Sequence, residues 1–198
     1  LLTRATGAKE LVLRVGLGTT PGNGGLIGIA GTYGQLFLYI TNGEGEEIWI
    51  RQCFPLFDQC QNLLEIGHPF RTNNYGGWIA MGPDGNLYVG VGDGAGDSNN
   101  NAQDPYSRLG KILRLGRNPS PDQPFAPAPG NPYLNGGGDA YVFALGLRNP
   151  FRGSFDGRTI IIGDVGEDSI EEVNLVRIED AGLNFGWPFL EGTPPFSG

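Results

Sequence analysis

This chain of 198 residues has few of the side chains on which many enzymes and metal sites depend. It contains one histidine, His68, and two cysteines, Cys53 and Cys60. A single histidine excludes metal sites built from clustered histidines and argues against a Ser-His-Asp triad. In an exported protein the two cysteines could close a small loop. Two free buried thiols are the alternative.

The chain also lacks long apolar runs and an excess of positive charge. No apolar run approaches the roughly 18 residues needed to cross a bilayer. The formal net charge is −8, which argues against binding to nucleic acid or to anionic membranes, because both require a basic patch. The sequence begins at Leu1 and shows no signal peptide, as expected of a mature or incomplete product.

Helical periodicity is absent as well, whereas glycine and proline are abundant, with 35 and 15 residues. The glycines separate apolar runs, and 39% of the residues are hydrophobic. This pattern predicts one all-β domain with tight turns over residues 1–198. It predicts a strand at 11–15. The polar and proline-rich stretch 94–138 is predicted to form inserted loops, because proline removes hydrogen-bond donors from a sheet.

A turn, an apolar run and a glycine exit recur three times along the chain. The equivalent turn glycines are Gly34, Gly85 and Gly157, which lie 51 and 72 positions apart. Each apolar run is of the kind that is buried on both faces of a sheet. Periods of about 40 to 50 residues with several strands are typical of propeller blades. A β-sandwich with similar turns is the alternative at this point.

The loop at 92–99 is rich in glycine and acidic residues. Asp93 and Asp97 offer the oxygen ligands that calcium prefers. The EF-hand pattern fails, however, because no glutamate stands at the twelfth position of the loop. A structural turn is therefore the better interpretation.

Four motifs in a fixed order carry the most specific information. They are Asn-Asn-Tyr-Gly-Gly at 73–77, Gly-Leu-Arg-Asn-Pro at 146–150, a Gly-Asp to Glu-Glu-Val-Asn segment at 163–174, and Gly-Leu-Asn-Phe-Gly-Trp-Pro with a later Glu-Gly at 182–192. Arg148 presents a fork of donors suited to a carboxylate or a quinone oxygen. Alternatively, Arg148 pairs with a loop carboxylate and Asn149 satisfies the turn. Trp187, before a proline, is most simply core packing.

Together these motifs resemble the glucose/sorbosone dehydrogenase family, the soluble quinoprotein sugar dehydrogenases that use pyrroloquinoline quinone (PQQ). The resemblance implies a six-bladed β-propeller, of which this chain would hold about four blades. It implies that Arg148 and Asn149 contact PQQ, and that backbone carbonyls at Gly166 and Glu167 bind the calcium ion that anchors it. Later family segments, with further basic residues for the PQQ carboxylates, have no counterpart here.

The catalytic base of the family is missing from its expected position. Where the family has a histidine, this chain has Asn74, whose amide is not basic near neutral pH. His68 lies six positions earlier, beside a proline, and is interpreted as a loop residue that does not replace the base. We therefore expect no intact catalytic set.

Three functions are compatible with these observations. The first is a propeller module that has lost turnover and serves in extracellular binding or structural assembly. The second is PQQ- and calcium-dependent oxidation of aldose sugars to lactones. The third is a propeller that binds sugar without redox chemistry. An extracellular or periplasmic location is expected. Since an incomplete propeller exposes strand edges, we also expect association with another protein chain that completes the ring.

Overall fold

The computed structural model describes residues 25–32, 34–42, 46–54, 59–69, 73–95, 100–120 and 122–193. The strand predicted at 11–15 and the candidate ligand Asp97 lie outside these ranges. Within them the chain forms twelve β-strands and no helix. The strands are β1 (Leu26–Thr32), β2 (Gln35–Thr41), β3 (Glu47–Phe54), β4 (Gln59–Gly67), β5 (Gly76–Met81), β6 (Leu87–Val91), β7 (Lys111–Arg117), β8 (Phe125–Pro127), β9 (Val142–Leu145), β10 (Pro150–Asp156), β11 (Thr159–Asp164) and β12 (Glu172–Arg177).

The strands form three antiparallel sheets, each connected in chain order as a propeller blade is. Blade 1 contains β1 to β4, blade 2 contains β5 to β9, and blade 3 contains β10 to β12. In blade 2, β7 pairs with β8 near its end and with β9 near its start. The prediction of an all-β partial propeller is confirmed. The part of the chain that the structure describes holds three blades of the about four expected over its whole length.

The prediction that 94–138 forms inserted loops is wrong over two stretches. Lys111–Arg117 is strand β7, whose first six residues are buried and which has strand partners on both sides. Phe125–Pro127 is the short strand β8 beside it. The apolar side chains of Ile112, Leu113 and Leu115 outweighed the polar flanks of β7, because burying them removes them from water. β8 tolerates proline since it lies at a sheet edge.

Side chains from neighbouring blades interlock in two apolar clusters. Strand β6 contributes to both, because alternate side chains of a strand point to opposite faces. Leu87 and Val89 pack towards blade 1, whereas Tyr88 packs towards blade 3. Gly90 has no side chain because a Cβ atom there would lie 2.8 Å from the carbonyl oxygen of Pro150. The expectation of a strand buried on both faces is therefore correct for β6.

Polar residues follow the buried strands at one common end of the blades. Thr41 ends β2, Asp93 follows β6 by two residues, and Asp164 ends β11. All three side chains are buried. Each accepts hydrogen bonds from backbone N–H groups, as Thr41 Oγ1 does from Gly25 N at 2.6 Å. The polar exits thus fix the turns at this end, which we call the exit end.

Blade 1 contains the two cysteines of the chain, and its single histidine follows the last strand of this blade. Cys53 and Cys60 face each other on β3 and β4 and form a disulfide bond. His68 follows β4 outside any strand, as predicted, but its side chain is completely buried. Its ring stacks on Tyr75 at 4.1 Å between centroids. Neither ring nitrogen has a hydrogen-bond partner among the described residues.

Burial lowers the pKa of His68 below its ordinary value. The folded protein therefore binds this proton less readily than the unfolded chain, and stability is lost as pH falls below about 6.5. We predict that the variant His68→Phe, which keeps a ring against Tyr75, loses less stability between about pH 7 and about pH 5 than the wild type.

This prediction can be checked directly because His68 is the only histidine of the chain. A single imidazole resonance in the NMR spectrum reports its pKa, and denaturant unfolding at both pH values reports stability. An imidazole that titrates at or above its ordinary pKa, or equal acid sensitivity in wild type and variant, would contradict it.

Candidate functional site

Asp93 is the first of two buried carboxylates at the centre of the exit end. Its Oδ1 accepts hydrogen bonds from Asn74 Nδ2 and from Ala95 N, each at 2.9 Å. Its Oδ2 accepts from the indole Nε1 of Trp187 at 2.8 Å. Asp93 therefore links the first motif to the fourth, which are about a hundred residues apart in the sequence. Of the two interpretations of this loop, the structural turn describes the geometry of Asp93.

Asp164 is the second buried carboxylate, and it holds the Gly-Leu-Arg-Asn-Pro motif. Its Oδ2 accepts from Arg148 N at 3.0 Å and its Oδ1 accepts from Asn149 N at 2.6 Å. The carbonyl of Arg148 in turn accepts from Asp93 N at 2.8 Å. The motif is therefore held between the ends of β6 and β11. Burial raises the pKa of Asp164 to about 7, although the two backbone donors act against this shift.

The side chain of Arg148 turns towards the loop that follows β11. Its Nη1 donates to the carbonyl oxygens of Val165 at 3.0 Å and Gly166 at 2.8 Å. Its Nη2 forms an ion pair with Glu167. The guanidinium also stands 5.6 Å from the ring centroid of Trp187. Pairing with a loop carboxylate is thus the arrangement present, while the Nε atom of Arg148 is buried without a partner among the described residues.

Two further glutamates orient this loop from its other side. Gly166 N donates to Glu171 Oε2 at 3.2 Å. Glu191 Oε1 accepts from the backbone N–H groups of Glu167 at 2.6 Å and Asp168 at 3.0 Å. With their N–H groups directed to carboxylates, the loop residues present carbonyls to Arg148. Gly166 is required because a Cβ atom there would collide with the backbone of Ile170.

Asn74 and Asn149 line one small cavity at the exit end. The cavity has a volume of about 80 Å³ and is also lined by Ile27, Asn73, Tyr75, Gly76 and Phe151. Asn149 Oδ1 accepts from Gly76 N at 2.9 Å. Asn74 has a φ of 53°, in the left-handed region that asparagine tolerates. The volume is well below the roughly 300 to 1,000 Å³ of small-molecule pockets.

Several groups that the family resemblance assigns to calcium and PQQ are already hydrogen-bonded within the chain. Of the two carbonyls predicted to bind calcium, that of Gly166 accepts a hydrogen bond from Arg148, and the side chain of Glu167 forms an ion pair with the same arginine. A calcium ion needs six to eight oxygen ligands, and no group of three or more His, Cys, Asp or Glu side chains that could hold a metal occurs in the described ranges. A calcium ion could be held here only if the positively charged Arg148 released the Gly166 carbonyl and the Glu167 carboxylate. The predicted roles of Arg148, Asn149, Gly166 and Glu167 stay predictions.

The structure also brings in residues that sequence reasoning did not assign to the site. These are Asp164 and Glu191, together with Trp187, which was interpreted as core packing. Trp187 is indeed buried, but its indole nitrogen serves Asp93. The sequence did contain a signal for Asp164, because the pair Gly-Asp follows the apolar run both at 92–93 and at 163–164.

Comparison with known proteins identifies relatives of this chain. The family model described as glucose/sorbosone dehydrogenase matches residues 57–198. The HIPL2 protein of Arabidopsis thaliana is 37% identical over an alignment of 155 residues that covers 70% of this chain and 22% of that protein. Quinoprotein glucose dehydrogenase B of Acinetobacter calcoaceticus is 27% identical over an alignment of 154 residues that covers 68% of this chain and 30% of that protein. The chain thus spans less than a third of the length of these relatives.

Solved structures of glucose dehydrogenases share the fold of this chain. An oxidoreductase of Thermus thermophilus, described as a putative glucose dehydrogenase, superimposes with a TM-score of 0.75 at 31% identity. The superposition covers 92% of this chain and 56% of that structure. A further glucose dehydrogenase structure superimposes with a TM-score of 0.74 at 22% identity and therefore supports the fold alone.

The pH dependence of stability that we expect from Asp164 is opposite to the one expected from His68. Its pKa of about 7 in the folded protein lies above the value of about 4 in the unfolded chain. The folded state therefore binds the proton more tightly, and stability is lost as pH rises from about 4 to about 7. In an Asp164→Asn variant this loss should disappear. The variant should be less stable near pH 4, by about 1 to 3 kcal/mol, because its amide has one acceptor for two N–H donors.

Denaturant unfolding across this pH range measures the effect, with His68→Phe as the background so that histidine does not contribute. An equal pH slope with and without Asp164→Asn would show that the carboxylate titrates normally.

Proposed function

The chain belongs to the glucose/sorbosone dehydrogenase family, and from that premise we propose that it is a propeller module that has lost dehydrogenase turnover and serves in extracellular binding or structural assembly. The observation that carries this proposal is the environment of Asn74. At the position of the family's base, its amide donates to Asp93 and is buried. It acts as part of the turn and has no basic nitrogen to take a proton from a sugar hydroxyl.

The second support is the state of Arg148. The two nitrogens at the tip of its guanidinium are directed to Val165, Gly166 and Glu167 of its own chain. A quinone oxygen or carboxylate would have to displace these contacts before it could accept from the same donors. An arginine that satisfies its neighbouring loop stabilises the exit end without a cofactor, which is what a structural module requires.

An alternative function is PQQ- and calcium-dependent oxidation of aldose sugars. Two observations favour it: the Arg148-Asn149 pair is retained, and one relative is named a quinoprotein glucose dehydrogenase. Sugar binding without redox chemistry at the exit end has less support, because the cavity beside Asn74 is only about 80 Å³. Sugar oxidation and sugar binding therefore have less support than the non-catalytic module.

Features of blades 1 and 3 support proposals for the location and the partners of the module. The disulfide between Cys53 and Cys60 supports an extracellular or periplasmic location, since disulfide bonds persist in oxidising compartments. Among the described residues no helix could span a membrane. Among the described residues, strand β12 has a sheet partner on one side only, and its Val173 and Leu175 side chains are exposed. An exposed apolar edge favours pairing with another protein segment, which supports assembly as the role of the module.

The proposal predicts that restoring the histidine does not restore turnover. We expect the variant Asn74→His, in the full-length protein with added PQQ, calcium and glucose, to show no more dye-linked oxidation than the wild type. The physical reason is that a general base contributes about 10²- to 10⁴-fold only to a cofactor that is already held.

Asn74→Ala is the matched control, because it removes the same hydrogen bond to Asp93 without adding a base. Thermal unfolding of both variants shows whether they are folded. An increase of about a hundredfold or more in Asn74→His alone would contradict the proposal.

A further inference from the structure

The face of blade 1 that packs against blade 2 changes from apolar to polar at the end opposite to the exit end. On β3, Ile48 and Ile50 are part of the core between the blades. Gln52 continues the same face, since alternate residues of a strand point the same way. Its side chain is only 2% exposed. Directly opposite it on β4 stands Gln61. Buried amides on an interblade face are costly unless they are hydrogen-bonded, so their presence needs an explanation.

Three glutamines form a hydrogen-bonded ladder across neighbouring strands. Gln52 Nε2 donates to Gln35 Oε1 at 3.2 Å, and Gln61 Nε2 donates to Gln52 Oε1 at 3.0 Å. The ladder satisfies the buried middle member. It leaves the amide group of Gln35 as a donor at one end and Gln61 Oε1 as an acceptor at the other. These ends are two strands apart, or about 10 Å.

The ladder lines a cavity of about 800 Å³ between blades 1 and 2. The other lining residues are Phe54, Gln59, Cys60, Arg117, Asn118 and Pro124. The volume falls in the range of roughly 300 to 1,000 Å³ that is usual for small-molecule sites. Among the described lining residues there is no carboxylate and a single cation, Arg117. Its guanidinium stands 5.6 Å from the ring centroid of Phe125.

The disulfide bond holds this lining in place. Cys53 follows Gln52 on β3 and Cys60 precedes Gln61 on β4, and the two cysteines are directly opposite each other. A covalent link between these neighbours keeps the two glutamines in register. Groups that are already in position lose less conformational freedom when a ligand binds. The two cysteines of the chain thus stand beside this cavity.

We propose that this cavity binds a neutral oligosaccharide. Hydroxyl groups both donate and accept hydrogen bonds, and so do the side-chain amides of the lining. Phe54 and Pro124 offer apolar surface for the C–H faces of a sugar ring. Since the described lining residues include no carboxylate, they do not favour a cation, and one arginine does not suit a polyanion. The site is at the opposite end of the blades from Arg148, so it does not depend on the loss of turnover.

The test is an NMR titration of the full-length protein, labelled with ¹⁵N on its glutamine and asparagine side chains. The probes are maltotetraose, cellotetraose, xylotetraose and diacetylchitobiose, each raised to tens of millimolar. At least one should shift the side-chain amide signals of Gln35 and Gln61. Gln61→Met, which keeps length and removes the acceptor, should weaken that binding by about fivefold to tenfold, the value of one hydrogen bond.

Gln123→Met is the matched control, because Gln123 neighbours Pro124 in sequence but does not line the cavity; its binding should equal that of the wild type. Gln35→Met tests the other end of the ladder if Gln61→Met does not fold. The proposal is overturned if none of the four sugars shifts the glutamine signals. It is also overturned if shifts occur at Asn74 and Asn149 instead, or if the folded cavity variants bind as tightly as the wild type.

Discussion

Two buried carboxylates at strand exits are the constraint on which the whole exit end depends. A buried carboxylate is stable only when donors surround it. Asp93 therefore gathers Asn74, the backbone N–H of Ala95 and the indole of Trp187. Asp164 fixes the backbone of the segment at 148–149 in the same way. Motifs that are far apart in the sequence converge because these two acceptors require their hydrogen bonds.

Side chains that a dehydrogenase would use at this end form hydrogen bonds within the protein instead. Asn74 is committed to Asp93, and Arg148 is committed to the loop after β11, which Glu191 holds from its other side. The exit end is thus a network in which the polar side chains that would meet a cofactor largely satisfy one another. The family scaffold is maintained by its hydrogen bonds and its interblade core.

Most of the fold could be predicted from local patterns, because continuous apolar runs with glycine exits specify strands that are buried on both faces. The stretch 94–138 was predicted as loop since its prolines and polar residues obscured the short apolar run of β7. The site was predictable only in part. The Gly-Asp exits were visible, but the donors to each carboxylate come from other blades and depend on the tertiary fold. The glutamine ladder was not recognised, because an amide in an alternating strand is normally assigned to solvent.

The central claim is that the exit end is closed upon itself and does not hold the cofactor. An absorbance titration of the natively purified full-length protein with PQQ in the presence of calcium tests it most directly, with a quinoprotein glucose dehydrogenase as the positive control. The account predicts no saturable change for the folded protein under conditions in which the control saturates. Saturable binding near one equivalent of PQQ would contradict it and would favour sugar oxidation as the function.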